Sequence, residues 1–192
     1  MSIETQTVLG VLAGFVAVIN YAPYLIGVAS KKMHPHAFSW IIFTLITGTV
    51  CVAQLSSGAG AGAWATGLTA VTTFCIAIFA LRNGGYKVTR TDLGSFIGAL
   101  VAIPVWIITA NPLLAVVVLT FVEVLGFLPT YRKAWYQPFD ESRLAFSLTI
   151  LKYILALGAM QTYNVTVMLF PVALIVLSTI LLIEINWRRN YI

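Results

Sequence analysis

Charged side chains are scarce in this chain of 192 residues: Asp, Glu, Lys and Arg together make up 9%, against roughly a quarter in an average soluble domain. With 60% hydrophobic residues and a mean hydropathy of +0.95, that deficit excludes an ordinary globular domain and places the chain in a membrane. Cysteine is nearly absent too. Cys51 and Cys75 fall in apolar runs at different depths, so no disulfide framework is expected and both read as packing residues. Catalytic signatures are missing: there is no nucleophile elbow, phosphate-binding glycine loop, HExxH or paired-cysteine motif, which argues against an enzyme and gives no ground for a metal or cofactor. The opening MSIETQT has neither the basic region nor the cleavage site of a signal peptide, so the first apolar run is expected to stay in the mature protein.

What the chain does have is room for about seven spans of some 20 residues each. Apolar runs bounded by charge, glycine or asparagine clusters predict them at roughly 8–29, 36–56, 63–82, 92–110, 112–131, 144–160 and 165–186. The net charge is +5, but the basic residues lie between apolar runs rather than along one face, which fits membrane topology and not nucleic-acid binding. Ten of the eleven Lys and Arg residues (Lys31, Lys32, Arg82, Lys87, Arg90, Arg132, Lys133, Arg143, Arg188 and Arg189) fall in connections that a seven-span path puts on one face. The positive-inside rule then predicts an integral protein, taken as that of a prokaryotic plasma membrane, with its N-terminus outside and its C-terminus cytoplasmic. The expected architecture is all-α, with a first three-helix repeat over 1–90, a linker helix over 91–111 and a second three-helix repeat over 112–192. Because the linker is a single span, the two repeats run parallel, related by an axis along the membrane normal.

One stretch recurs. Asn20 to Trp40 reads NYAPYLIGVASKKMHPHAFSW and Gly126 to Leu148 reads GFLPTYRKAWYQPFDESRLAFSL. Pro129 stands where Pro23 does, Arg132-Lys133 where Lys31-Lys32 do, and Ala145-Phe146-Ser147 repeats Ala37-Phe38-Ser39. Two three-helix units joined by an inverting linker, each opening on a proline-bearing span and a basic turn, resemble the PQ-loop superfamily, which includes the SWEET and SemiSWEET sugar facilitators. The resemblance covers nearly the whole chain. It implies alternating access with Pro23 and Pro129 as hinges. Tyr24 and Thr130 occupy the positions of the name-giving glutamine, and spans three and seven offer Thr69, Thr72, Thr73, Pro171, Ser178 and Thr179 where the sugar carriers tend to place an asparagine.

Two ionisable residues stand inside spans. Glu123 lies six residues before Pro129, about 9 Å along a helix, and Lys152 nine beyond Arg143, about 13 Å, so the two reach similar depth. A lone charge at the bilayer centre costs about 2.5–3.5 kcal/mol on insertion scales, which makes a pair the economical reading. Such a pair is either a salt bridge fixing span five to span six or a substrate or proton site. The matched positions in the first repeat, Ala17 and approximately Thr44, carry no charge.

Asn20 is a further cavity candidate, since it lies within one turn of Pro23 and needs a polar partner in lipid. Tyr24, Trp40, Trp135, Tyr136 and Trp187 read as interfacial anchors, and Gly10, Gly14 and Gly48 as points of close helix approach. The His34-Pro35-His36 turn is a weak metal signal and a candidate pH sensor. Asn164-Val165-Thr166 matches a glycosylation acceptor on the outer face.

The expected function is movement of a small polar solute by alternating access, with Asn20, Glu123, Lys152 and Thr69 facing a cavity lined by spans one, two, five and six. Proton coupling through Glu123 is a secondary expectation. The rival is a membrane receptor or sorting protein of the same architecture that binds a ligand without net flux.

Overall fold

A computed structural model describes residues 1–33, 37–83 and 90–191. The His34-Pro35-His36 turn, with the pH-sensing expectation attached to it, and Lys87 lie outside the described residues. Within them the chain is all-helical, with seven α-helices: α1 (Ile3–Ala29), α2 (Ala37–Ser56), α3 (Trp64–Asn83), α4 (Arg90–Thr109), α5 (Pro112–Tyr136), α6 (Arg143–Gly158) and α7 (Val165–Tyr191). Short 3-10 turns at Gly60–Ala63 and Pro138–Asp140 precede α3 and α6. Five helices are long and apolar enough to cross a membrane: α1, α2, α3 with its leading turn, α5 and α7. They fit an integral membrane protein. The apolar part of α4 is shorter, Phe96–Thr109, and α6 has 16 residues and carries Lys152.

Caps and charge fix where the helices start and stop. α1 begins at Ile3, earlier than the apolar run, because the Ser2 side chain accepts from the Thr5 N–H and Glu4 sits in the first turn. The fourth and fifth runs, which meet at 110–112, are divided by a turn with Ala110 at φ 49°, after which Asn111 caps Leu113 N–H and Pro112 opens α5. Ser142 caps α6 by accepting from Ala145. α5 and α7 continue beyond 131 and 186 to Tyr136 and Tyr191, with Lys133, Arg188 and Arg189 in their last turns, where cations favour the helix terminus.

α1 and α2 both pack on α3, and α5 and α6 both pack on α7. Between these triplets α1 meets α6 and α2 meets α5, while α2 also touches α7 and α3 touches α6. α4 lies against α5 and α2. Alanine fills many interior positions, among them the fully buried Ala13, Ala53, Ala65, Ala115 and Ala156, which lets the helices approach closely there. Gly10 faces the Gly60–Ala63 turn so tightly that a Cβ there would stand 2.8 Å from the Ala61 carbonyl oxygen. A Cβ on Gly14 would meet the Leu68 side chain, whereas one on Gly48 would meet nothing within 4 Å. The close approach expected at Gly48 is therefore not made, because that face of α2 borders a surface groove with Thr44, Val52 and Trp106.

The end of the bundle holding the 57–63 and 159–164 turns is sealed by hydrogen bonds between the two triplets. Gln6 Nε2 donates to the Met160 carbonyl at 2.8 Å, and Gln161 N–H donates to the Ala59 carbonyl at 3.2 Å. The Thr162 hydroxyl lies 3.0 Å from the Ser57 carbonyl and 2.9 Å from that of Gly58. Asn164 caps α7 with Oδ1 on Val167 N–H and donates Nδ2 to Ser57, so the nitrogen that glycosylation would use is already engaged.

Gln54 completes the seal. Pro171 lacks the N–H that would bond the carbonyl of Val167 one turn earlier, and Gln54 Nε2 occupies that carbonyl at 3.0 Å. Gln54→Leu should therefore lower stability by about 1–3 kcal/mol, the cost of leaving a buried carbonyl unmet, toward the low end because Gln54 Oε1 itself has no partner. In a Pro171→Ala background the loss should shrink, since a backbone N–H at position 171 takes over the bond. A double-mutant cycle in thermal unfolding checks this; equal losses in both backgrounds would refute it.

Candidate functional site

A cavity of ≈ 430 Å³ lies between the two triplets, within the size range of small-molecule pockets. It reaches from Glu141, in the basic turn before α6, to Lys152, Thr69 and Glu123 at mid-depth. Six helices line it, all but α4: α3 contributes Thr69 and Thr73, and α7 contributes Phe170, Leu174 and Ser178. The sequence points to spans one, two, five and six, with Thr69 of span three facing the cavity; α7 is the addition. The threonines of α3 suit such a wall, because each can return its hydroxyl proton to its own helix, as Thr69 does to Ala65 at 2.8 Å, and still offer lone pairs outward.

Helix register aims the cavity side chains. On α5, Glu123, Phe127 and Thr130 lie at i, i+4 and i+7 and share one face. On α1, Tyr21 and Tyr24 occupy the positions matched to Phe127 and Thr130, and all five line the cavity. Pro23 and Pro129, one residue before Tyr24 and Thr130, are both exposed on the outer surface. Neither carbonyl they leave free, on Ile19 and Leu125, receives a side-chain donor among the described residues, unlike that of Val167.

Glu123 and Lys152 both face the cavity, with exposures of 9% and 1%. Among the described residues no ion pair joins them, so the salt bridge that the sequence left open beside a substrate or proton site is not formed. Lys152 Nζ instead donates to Thr69 Oγ1 at 3.2 Å and sits 4.4 Å from the Tyr153 ring centre and 5.3 Å from that of Tyr21, close enough for cation–π attraction. Glu123 Oε2 is buried with no hydrogen-bond partner.

Asn20 does not line the cavity. It donates Nδ2 to Thr149 Oγ1 at 2.9 Å, and Thr149 does line it, so Asn20 satisfies its polar group by tying α1 to α6 behind the wall. Tyr24 and Trp40, expected as interfacial anchors, face the cavity. Their rings pack at a tilt of 36° with centres 4.7 Å apart and, with Phe43, build an aromatic wall on the α1–α2 side. Trp135, Tyr136 and Trp187 stay exposed at the basic end, where Arg188 covers Trp135 and Arg189 holds the Pro138 and Glu141 carbonyls. Glu141 at the cavity rim is paired with Lys133 at 2.8 Å.

The signal that would have found Tyr21, Tyr24, Phe127 and Thr130 was in the sequence: counting helical turns from Glu123 and then transferring by the repeat reaches all four. No group of His, Cys, Asp or Glu among the described residues is arranged to hold a metal ion. No protein-family model, curated protein or solved structure matches this chain.

Proposed function

We propose that this chain is a seven-span membrane transporter that carries a small polar solute by alternating access. The observation that carries the reading is a cavity between the two triplets that reaches one end of the bundle while hydrogen bonds between the same triplets seal the other. One such half-open state is what alternating access requires of its two states. The helix pairs α1–α6 with α5–α2, and α2–α7 with α6–α3, exchange under the substitution of α5, α6 and α7 for α1, α2 and α3, which supports a 3+1+3 arrangement of two parallel repeats with α4 as linker. It also supports the PQ-loop resemblance. By the positive-inside rule the open end is cytoplasmic and the sealed end outer, with Pro23 and Pro129 as hinges.

A receptor that binds at the same cavity would share this half-open state, so flux decides between them. Purified protein in liposomes should move solute down its gradient; saturable binding without flux would favour the receptor. Proton coupling is assigned to Glu123. Solute-driven proton movement, read with an entrapped pH dye, should disappear in Glu123→Gln, and its survival there would remove the assignment.

A further inference from the structure

We infer that the solute is a compact zwitterion, with its ammonium at Glu123 and its carboxylate at Lys152. The inference rests on the cavity being the solute site of the transporter proposed above. Two opposite charges, each at least nine-tenths buried, face one cavity without pairing. Glu123 Oε2 accepts nothing. Lys152 has three N–H donors and uses one on Thr69, with its ammonium also over the rings of Tyr21 and Tyr153.

Holding a charge in a buried site without a counter-charge is costly, so a solute that brings a counter-charge is favoured at either group. A solute of one charge would answer one side chain and leave the other exposed to the same cost. A neutral polyol would leave both. A zwitterion answers both at once, and a cavity that is neutral when empty stays neutral when filled, which removes an electrostatic barrier to moving the occupied site across a bilayer.

The rest of the wall selects among zwitterions. Phe127, Phe146, Phe170 and Leu174 offer an apolar surface to a third substituent and no further charge at mid-depth, which favours an α-amino acid with an uncharged side chain. The first triplet carries Ala17 and Thr44 at the positions of Glu123 and Lys152, so one cavity provides one charge pair and takes one solute.

The test is thermal unfolding of the detergent-purified protein with leucine and phenylalanine, each set against its two single-charge analogues. These are isoamylamine and isocaproate for leucine, and phenethylamine and hydrocinnamate for phenylalanine, with glucose as the neutral probe. Because a ligand specific for the folded state raises the unfolding temperature, the amino acids should stabilise at concentrations at least tenfold below any analogue. Glu123→Gln should erase the preference for amino acid over deaminated acid, and Lys152→Gln the preference for amino acid over amine. Each readout is a ratio within one variant, so it survives a general loss of stability. Exchanging the charges, Glu123→Lys with Lys152→Glu, should restore binding that either half of the exchange loses. Stabilisation by an amine, an acid or glucose equal to that by the amino acids would overturn the inference, as would no stabilisation by any probe. The two readings fail separately. Amino-acid binding with this charge dependence but no flux would remove transport and leave the zwitterion site, while glucose flux indifferent to both substitutions would do the reverse.

Discussion

Oxidising a Gly58→Cys/Thr162→Cys variant, with Cys51 and Cys75 replaced by alanine, should drop solute flux in liposomes to background, and reduction should restore it. Position 58 lies in the turn after α2 and Thr162 in the turn after α6, so the bond would join the two triplets at the sealed end. A Cβ built on Gly58 stands 3.8 Å from the Thr162 Cβ, about the mean Cβ···Cβ separation of a disulfide, ~3.8 Å. Gly58 has φ +84°, so a cysteine there carries strain of about 1–3 kcal/mol, which lowers stability without preventing the bond. Alternating access needs this end to part, and a covalent link forbids it. Ligand binding from the basic end should persist in the oxidised protein, since the cavity reaches Glu141 on that side. Flux at the unlinked rate in protein shown fully cross-linked by mass would rule out alternating access through this end.

The helical skeleton was legible in the sequence because apolar runs and capping residues are local signals. Seven predicted runs correspond to the seven helices, and their ends move by only a few residues where Ser2, Lys133 and Arg188 extend them. The presence of Glu123 and Lys152 at one depth was legible too, since helical rise is a matter of counting. Their failure to pair was not, because it depends on how α5 and α6 rotate about their own axes, which their packing on α1, α2, α4 and α7 decides together. That Tyr24 and Trp40 turn into the cavity was missed for a different reason. The general attraction of Tyr and Trp to interfaces outweighed a register argument that puts Tyr24 one residue past an outward-facing proline. The service of Gln54 to the carbonyl freed by Pro171 joins residues more than a hundred positions apart, and no local pattern announces it. Asn20 shows the same limit: its need for a partner was readable, and the identity of that partner, Thr149, was not.

The carbonyl of Val167 is the comparison that gives Pro23 and Pro129 their meaning, and it leads to the second large effect. Replacing both, Pro23→Ala with Pro129→Ala, should raise the unfolding temperature and lower flux at least tenfold. A proline in a helix interior costs about 3 kcal/mol through its lost hydrogen bond and ring clash, and alanine returns an N–H to the Ile19 and Leu125 carbonyls. Both prolines are exposed, so the substitution opens no hole in the packed interior. Gln54 meets the carbonyl that Pro171 leaves free, whereas among the described residues no side chain donates to those left free by Pro23 and Pro129, and the residues that follow these prolines, Tyr24 and Thr130, line the cavity. A bend changing at either proline therefore moves the cavity wall. A tenfold change in the balance of two states needs only about 1.4 kcal/mol, less than one restored helix turn supplies. Pro104→Ala is the control, since Pro104 is also exposed but belongs to α4, which does not reach the cavity; flux there should stay at the wild-type rate. If the double variant gains stability and still transports at the wild-type rate, the two prolines are packing kinks and the hinge lies elsewhere.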